Sequence, residues 1–472
     1  MRVGFRRGSR RAFALAGWVL AVVSSPSGAF AQCSDTFRFY FQDPTKNPPI
    51  PPTSLQHAIP LGVGSSINAL MTTMNSVNTA FLSPSSSFVS ARAGAQADQL
   101  GGGVWGRTVT GTVENQSTTT VKIENATATI LLNGQGNPGF PAMVVDPSIG
   151  AGRGTCTSKV SEDYFGYQFG FDFARLNAGG EGANFHLGVT AGYFDSKTKD
   201  TRAANSYTKT VEYIDEGPLT TLITSPAGSF AADTKVPFVG LYATFTNGNF
   251  FADALIRQDF YLMTFNDPLN GLSNHAHNAY GFSTAVNLGY KIQLPWNWFI
   301  EPSGGGLWSR VRVDDIQSPG GAFFSGKNAG TVKVDEIEST LGRATLRVGT
   351  TLTTGEVTWQ PFVAGTVFRE FSNNATATAS VPFPGVEVTT NCGSTQGTQC
   401  KLVDGSGEND WRSLAITEAS TSTSRMGTFA QYGAGTAIVF GNSGWLGYGR
   451  YDYRTGQNIE GHSVNAGLRY NW

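Results

Sequence analysis

The sequence predicts an all-β fold, a twelve-stranded antiparallel transmembrane β-barrel, and three observations lead to that prediction. From residue 103 onward, stretches of roughly 10 to 15 residues alternate apolar and polar side chains, as strands between lipid and a wet lumen do. The gaps between these stretches are alternately short and long. The chain also ends on an aromatic residue, Trp472, that completes one of the alternating stretches.

The composition suits a β protein that faces lipid. Only 14% of the 472 residues are charged, against about 25% in a typical soluble protein, whereas Gly (58 residues) and aromatic residues (12%) are abundant. A secreted all-β adhesin would have a similar composition. The 33 basic and 34 acidic residues nearly cancel, so the net charge gives no reason to expect nucleic acid as a partner. Outside the N-terminal leader, no apolar run reaches the ~18 residues of a membrane-spanning helix, so a membrane location requires a barrel.

Residues 1–31 have the form of a secretion signal peptide. A basic region that includes Arg10 and Arg11 precedes an apolar core, and an A-x-A cleavage site over 29–31 predicts that the mature chain begins at Gln32. The sequence around Arg10 and Arg11 also resembles a twin-arginine signal. That route exports folded proteins, and a folded barrel with a lipid-facing surface would be insoluble in the cytoplasm.

Between the leader and the strands, the sequence predicts an arm and one helix. The arm, residues 32–64, is rich in Pro and is predicted to be extended, without a core of its own. Residues 65–100 are predicted to form a helix and a connector, because apolar residues recur at three- and four-residue steps from Ile67 to Phe81 and a serine can cap the start. The predicted helix carries no charged residue.

Residues 101–472 are predicted to form the barrel. In the clearest strand, Phe165, Tyr167 and Phe169 alternate with Gly166 and Gln168, so that one face is aromatic and the other is small or polar. The twelve predicted strands centre on 103–115, 163–175, 183–195, 235–247, 250–264, 278–293, 298–313, 332–352, 357–371, 425–440, 444–456 and 462–472.

The gaps between these strands distinguish a barrel from other all-β folds. Outer-membrane barrels have short turns at the periplasmic end and long loops outside, and an even strand number lets the first and last strands close the sheet without a free edge. A β-sandwich has no reason to keep this alternation. The short gaps are 176–182, 248–249, 294–297, 353–356 and 441–443, and the long gaps are 116–162, 196–234, 265–277, 314–331 and 372–424.

The last strand and several motifs resemble a known family. The last strand has an apolar face that ends on the terminal aromatic and consists of Val464, Ala466, Leu468, Tyr470 and Trp472. Softer motifs occur over 101–107, 298–302, 341–349 and 359–363. Together with the preceding helix and the twelve-strand rhythm, they resemble the C-terminal translocator domain of autotransporters (type V secretion), over about residues 65–472.

The resemblance implies an outer-membrane barrel whose helix is threaded through the pore. It implies that the five apolar residues of the last strand are the barrel-assembly signal read by the barrel-assembly machinery, with periplasmic chaperones and outer-membrane lipid as further partners of a monomer. Here the passenger would be only residues 32–64, too short for a surface β-helix. We therefore expect the chain to display this vestigial arm and its own long loops. The alternative is a porin-like channel for small solutes.

Charged residues on inward-facing positions are predicted to line the pore. They either form ion pairs in a wet lumen or hold the helix through Asn68, Asn75 and Asn78 and so plug the channel. In some relatives, acidic lumen residues drive self-cleavage at an Asn of the helix, a chemistry that Asn75 or Asn78 with Asp253 or Glu301 would imitate. The predicted pore-lining residues are Asp172, Asp253, Arg257, Asp259, Lys291, Glu301, Arg343, Arg347, Asp452 and Arg469.

The sequence predicts no catalytic residue, cofactor or metal site. No Ser/His/Asp set is concentrated at one rim, which disfavours a hydrolase, and His275 and His277 are better explained as residues of a solvated loop. Cys392 and Cys400 lie close in one loop and are expected to form a disulfide. If the helix starts at the outer end of the pore, a disulfide between Cys33 and Cys156 also becomes possible.

Overall fold

The structure is a computed structural model, and several predictions about the ends and loops of the chain lie outside the residues it describes. These concern the signal peptide, Cys33 and the Cys392–Cys400 disulfide. The described residues are 36–39, 53–56, 59–81, 95–132, 143–145, 153–202, 205–213, 217–225, 228–267, 272–318, 330–381, 390–391, 401–402, 410–441 and 443–472.

Twelve long antiparallel strands in the described residues form a closed barrel, which confirms the predicted fold class. Each strand pairs with its neighbours in sequence, and the last pairs with the first. In chain order they are β1 Gln99–Leu132, β2 Arg153–Ala178, β3 Ala183–Arg202, β4 Gly228–Asn247, β5 Phe250–Asp267, β6 Leu272–Tyr290, β7 Trp298–Val313, β8 Ile337–Thr350, β9 Val357–Glu370, β10 Thr428–Phe440, β11 Trp445–Gly456 and β12 Ile459–Asn471.

The alternation seen in the sequence corresponds to the two faces of the wall. In β2, Phe165 and Phe169 are exposed on the outside, whereas Gln168 and Asp172 are buried inside. We call the end where β1 begins and β12 ends the turn end, because the short connections between strands such as β2 and β3 lie there. The opposite end, which holds the long connections, is the loop end.

The strands near the loop end are longer than predicted. The gap 116–162 was predicted as a loop, but β1 and β2 stay in register through it, from Gln116 paired with Lys159 to Lys122 paired with Arg153. The β-branched Thr residues of this part of β1 favour a strand. The prediction missed it because both faces are polar and the alternation is weak.

The long gap 372–424 also contributes to the wall. Its strand Asp410–Thr423 pairs with β1 from Thr119 to Leu132, and its strand Ala375–Val381 pairs with Asp410–Thr423. β12 pairs with β1 only as far as Asn115. The neighbour of β1 therefore changes above Asn115, and the closed wall continues towards the loop end.

One helix, α1 (Ile59–Phe81), lies inside the barrel, as predicted. It begins six residues before the predicted start at residue 65, because Pro60 in the first turn needs no hydrogen-bond partner for its nitrogen and is tolerated there. Over 64–81, every side chain is buried except Thr79, which is half-buried. Among the described residues, no helix combines the length and the apolar character needed to cross a membrane.

Part of the predicted arm is a short hairpin. Thr36–Phe39 pairs in antiparallel fashion with Thr53–Gln56, where the sequence had predicted only extended chain. Thr36 and the two aromatic residues that follow it in this strand favour a β conformation. The Pro-rich stretch between these strands lies outside the described residues.

At the turn end, Asp98 joins the start of β1 to the turn after β2. Its carboxylate accepts a hydrogen bond from the backbone N–H of Gly179 (2.9 Å) and forms an ion pair with Arg175 (2.9 Å). The Gly179 hydrogen bond, with help from Arg175, lowers the pKa of Asp98. The stabilisation is therefore complete above the ordinary pKa of an aspartate and is lost as pH falls through the lowered value.

We expect Asp98→Asn to lower the thermal stability of the barrel slightly at neutral pH and not at strongly acidic pH. The effect is small because the contact is exposed to solvent. Melting curves of both proteins at several pH values would check this. A difference that persists in acid would contradict it, and Glu181→Gln in the same turn is the control.

Candidate functional site

Uncharged polar side chains of α1 hold its first half to the wall. Ser65 Oγ donates to the Asp200 carboxylate (2.7 Å), at the loop end of β3. Asn68 Nδ2 donates to Ser158 Oγ (2.9 Å), and Asn115 Nδ2 donates to Asn68 Oδ1 (2.6 Å). All five residues are buried. The start of α1 therefore lies near the loop end of the barrel.

Glu162 is the centre of the polar contacts at the middle of α1. Ser76 Oγ and Ser196 Oγ both donate to its carboxylate, the latter over 2.6 Å. Thr73 Oγ1 lies 3.0 Å from Ser196 Oγ, so the helix contacts this cluster at two positions one turn apart. Two side chains of α1 therefore reach the same buried carboxylate, Ser76 directly and Thr73 through Ser196.

Apolar side chains of α1 fill the rest of the lumen beside these polar contacts. Ile67, Met74 and Val77 belong to one buried cluster with Val113 and Val236 of the wall. The helix therefore combines a packed apolar face with a polar face on which Asn68, Ser76 and Asn78 have hydrogen-bond partners, which avoids the penalty of burying these groups alone. The buried Asn75 Oδ1 has no partner among the described residues.

The end of α1 forms a collar of aromatic and arginine side chains. The Phe81 ring lies 5.1 Å from Phe238 and 6.0 Å from Phe194. Arg107 donates to the backbone carbonyl of Phe81, and its guanidinium lies 5.4 Å from the centre of the Phe81 ring. Arg257 Nη2 donates to Asn78 Oδ1 over 2.9 Å. We call Phe81, Phe194, Phe238, Arg107 and Arg257 the collar.

The structure brings most of the predicted pore-lining residues together as pairs. Arg469 pairs with Asp172 (2.8 Å), Arg347 with Glu301 (2.5 Å) and Arg257 with Asp259 (2.6 Å). The other four have different surroundings. Asp253 accepts from Asn287 (2.9 Å), Lys291 lies 4.4 Å from the centre of the Phe299 ring, Asp452 pairs with Arg450 (2.6 Å), and Arg343 is half-buried.

Asp253, Glu301 and Asn78 each have another hydrogen-bond partner in the structure. Asp253 is hydrogen-bonded to Asn287 and Glu301 to Arg347, whereas Asn78 donates to Ser309 (3.0 Å) and accepts from Arg257. Self-cleavage at an Asn of α1 therefore stays a prediction.

The sequence reasoning missed several wall residues that contact α1. Asp200, Ser158 and Ser196 fell in gaps predicted as loops, as did Glu162 at the edge of one. The alternation of Ser158, Val160 and Glu162 continues that of β2 and would have found two of them. Arg107 belongs to the motif over 101–107, and counting alternate residues from Gly103 puts it on the inner face.

The other predicted sites have the following surroundings. The predicted assembly signal lies on the outer face of β12 and at its end, and consists of Val464, Ala466, Leu468, Tyr470 and Trp472. Of these, Val464, Leu468 and Trp472 are exposed, and Tyr470 is half-buried. His277 stacks on Phe265, with ring centres 5.8 Å apart. Within the described part of the chain, no group of three or more His, Cys, Asp or Glu residues is arranged to hold a metal ion.

The comparisons with known proteins concern the barrel. The family model for the autotransporter beta-domain matches residues 223–398. The chain is similar to the crystal structure of the beta domain of the Bordetella autotransporter BrkA, at 18% identity, with 79% of this chain and 100% of that chain covered and a TM-score of 0.43. No curated protein matches the chain.

Two further solved structures are similar to the chain. The transport unit of the autotransporter AIDA-I from Escherichia coli has 14% identity and a TM-score of 0.49, with 85% of this chain and 97% of that chain covered. The translocator domain of the autotransporter NalP from Neisseria meningitidis has 14% identity and a TM-score of 0.37, with 76% and 88% covered.

The family match agrees with the geometry of the barrel. It begins in the strand Gly217–Ser225 and runs through β4–β9, in the closed antiparallel wall that surrounds α1. The resemblance inferred from the sequence is thereby confirmed. Residues 223–398 of this outer-membrane type of closed β-barrel match the β-domain of autotransporters.

Proposed function

We propose that this chain is a plugged outer-membrane anchor that displays a short N-terminal arm and long loops at the cell surface. The observation that carries the proposal is the position of α1, whose start contacts Asp200 at the loop end and whose end contacts Arg107 inside the barrel. With the loop end outside the cell, the residues before the helix emerge at the surface.

The proposal includes the export of the chain, its insertion into the outer membrane and its contact with lipid. Residues 1–31 direct export and are removed, periplasmic chaperones carry the unfolded chain, and the barrel-assembly machinery inserts it as a monomer. The outer-membrane lipid contacts the exposed aromatic face of strands such as β2. The barrel acts as an anchor and not as an enzyme, and nucleic acid is not a partner.

The contacts of α1 support a plug and not a helix in transit. A neutral helix that only passed through the lumen would need no specific partners, yet Asn68, Ser76 and Asn78 each contact a particular buried wall residue. Each such hydrogen bond contributes about 0.5–1.5 kcal/mol net, and more where the partner is charged. Together with the apolar packing, they hold the helix in one position.

Conductance in planar bilayers tests the proposal. We compare the mature chain with a variant that lacks residues 32–81, and we expect low conductance from the first and large steady conductance from the second. The control is a variant that lacks only residues 32–58 and keeps α1 (Ile59–Phe81), which should stay closed. Large conductance from the intact mature chain would contradict the plug and favour the porin-like alternative.

A further inference from the structure

Among the twelve long strands of the described barrel, the pairing of β12 with β1 is the one that joins the two ends of the domain. It runs from Ile459 paired with Asn115 to Asn471 paired with Gly103. We call this pairing the seam. Among the twelve long strands, every other pair of neighbours is consecutive along the chain, whereas the two strands of the seam are separated by the whole domain. The seam therefore needs a contact that identifies the correct partner.

A buried ion pair crosses the seam. Arg469 of β12 forms two parallel hydrogen bonds with Asp172 of β2, both 2.8 Å long, and both side chains are fully buried. The guanidinium reaches over β1 to do so. This bidentate geometry is the strongest form of a charged hydrogen bond.

Gly103 in β1 leaves the space through which Arg469 reaches Asp172. Gly103 is the register partner of Asp172 on one side and of Asn471 on the other. A Cβ atom at residue 103 would lie 2.6 Å from Arg469 Nη2 and 2.9 Å from the backbone oxygen of Tyr470. Any larger residue would push the guanidinium away from its partner.

Asp172 is also the acceptor for two neighbouring strands. Tyr242 OH of β4 donates to it (2.6 Å), and His186 Nδ1 of β3 lies 2.8 Å from it. Trp105 Nε1 of β1 donates to Tyr242 OH (2.7 Å). With Arg469, the network joins five neighbouring strands, β12 and β1–β4. The members on β1–β4 are contributed by one continuous part of the sheet.

We propose that Arg469 and Asp172 form a latch that closes the seam of the barrel. The part of the network on β1–β4 assembles first, since those strands are consecutive, and Arg469 completes it when β12 arrives. Without Arg469, closure would bury the Asp172 charge without its cation, which is strongly unfavourable. The latch thus favours the closed barrel and the correct register of β12.

A pair of cross-links tests the latch. In a mature chain whose four cysteines are replaced by serine, Thr110→Cys is combined with Val464→Cys across the seam or with Phe165→Cys within the sheet. Thr110 pairs with both of these residues, and all three are exposed on the outer face. A short thiol cross-linker then reports closure of the seam and integrity of the β1–β2 pairing separately.

We expect Arg469→Gln to raise the ratio of uncross-linked to cross-linked protein at the seam by at least about tenfold, because it leaves a buried charge without its partner. The β1–β2 cross-link should not change. The control is Glu301→Gln, which breaks a pair that is also buried but joins the adjacent strands β7 and β8, away from the seam. Equal loss of both cross-links, or an unchanged seam cross-link, would overturn the latch.

If Arg469→Gln yields no folded barrel, two milder variants, Arg469→Lys and Gly103→Ala, test the latch instead. Lysine keeps the charge but cannot form the bidentate pair, and the methyl group that Gly103→Ala adds displaces the guanidinium while every ionisable group stays. Each substitution should weaken the seam cross-link selectively. Wild-type seam cross-linking in both variants would overturn the proposal.

Discussion

Phe81→Ala is expected to change a closed channel into one that opens frequently. Phe81 is 1% exposed and packs on Phe194, Phe238 and the Arg107 guanidinium at the collar. Truncating a buried Phe to Ala costs about 3–5 kcal/mol in packed interiors. If that packing is lost when the plug moves, the closed-to-open ratio falls by a factor on the order of 10² to 10⁴, since about 1.4 kcal/mol is a factor of ten. Open probability in single-channel recordings measures this change.

Thr79→Ala is the matched control for this prediction. Thr79 lies two residues before Phe81 on the same helix, but it is only half-buried and its hydroxyl bonds to the Asn75 backbone oxygen within α1. Both hydrogen bonds of its hydroxyl lie within α1, so its removal costs no hydrogen bond to the described wall. A Phe81→Ala channel as closed as the Thr79→Ala channel would mean that the collar does not hold the helix.

The features that follow a regular period could be predicted from the sequence. The lipid-facing side of β2 must be apolar while its inner side is not, so Phe165 to Phe173 alternate visibly. The same reasoning predicts that Asp172 and Arg469 point inward. The apolar residues of α1 recur at helical steps because one side of the helix packs against the wall.

The parts of the strands at the loop end of the barrel could not be predicted from alternation. Where β1 and β2 continue past Asn115, exposed positions such as Thr118 are polar and α1 packs against the inner face through hydrogen bonds, so both faces carry Ser, Thr or Glu. The period-two signal disappears while the strands continue. This is why Ser158, which contacts the first half of α1, and Glu162, which contacts its middle, lie in a predicted loop or at its edge.

The pairing of charged residues in the lumen depends on how the barrel closes. Arg469 and Asp172 are separated by 297 residues. The alternation of apolar and polar residues predicts only that both side chains face inward. The register of the seam then brings them to the same level along the barrel axis. The absence of a side chain at Gly103 is the local feature that permits the contact. No spacing within the sequence encodes such a pair.

Deletion of Trp472 is expected to reduce the amount of folded barrel in the outer membrane several-fold. The Trp472 N–H donates to the Gly102 backbone oxygen (3.2 Å), and a Cβ at Gly102 would lie only 2.9 Å from the indole ring. The ring also packs 5.6 Å from Phe171. Trp472 therefore covers the turn end of the seam, and its loss exposes the last backbone pairing between β12 and β1. Heat-modifiable migration of outer-membrane fractions measures the folded amount.

Trp296→Ala separates this role from a general need for tryptophan at the membrane interface. Trp296 also lies at the turn end, between β6 and β7, but it is 89% exposed and distant from the seam. We expect this variant to assemble like the wild type. Because Trp472 acts at closure, protein that does assemble without it should keep the low conductance of the plugged barrel. Normal assembly of the truncated chain would show that the terminal residue is dispensable and that the pairing from Ile459 to Asn471 closes the seam alone.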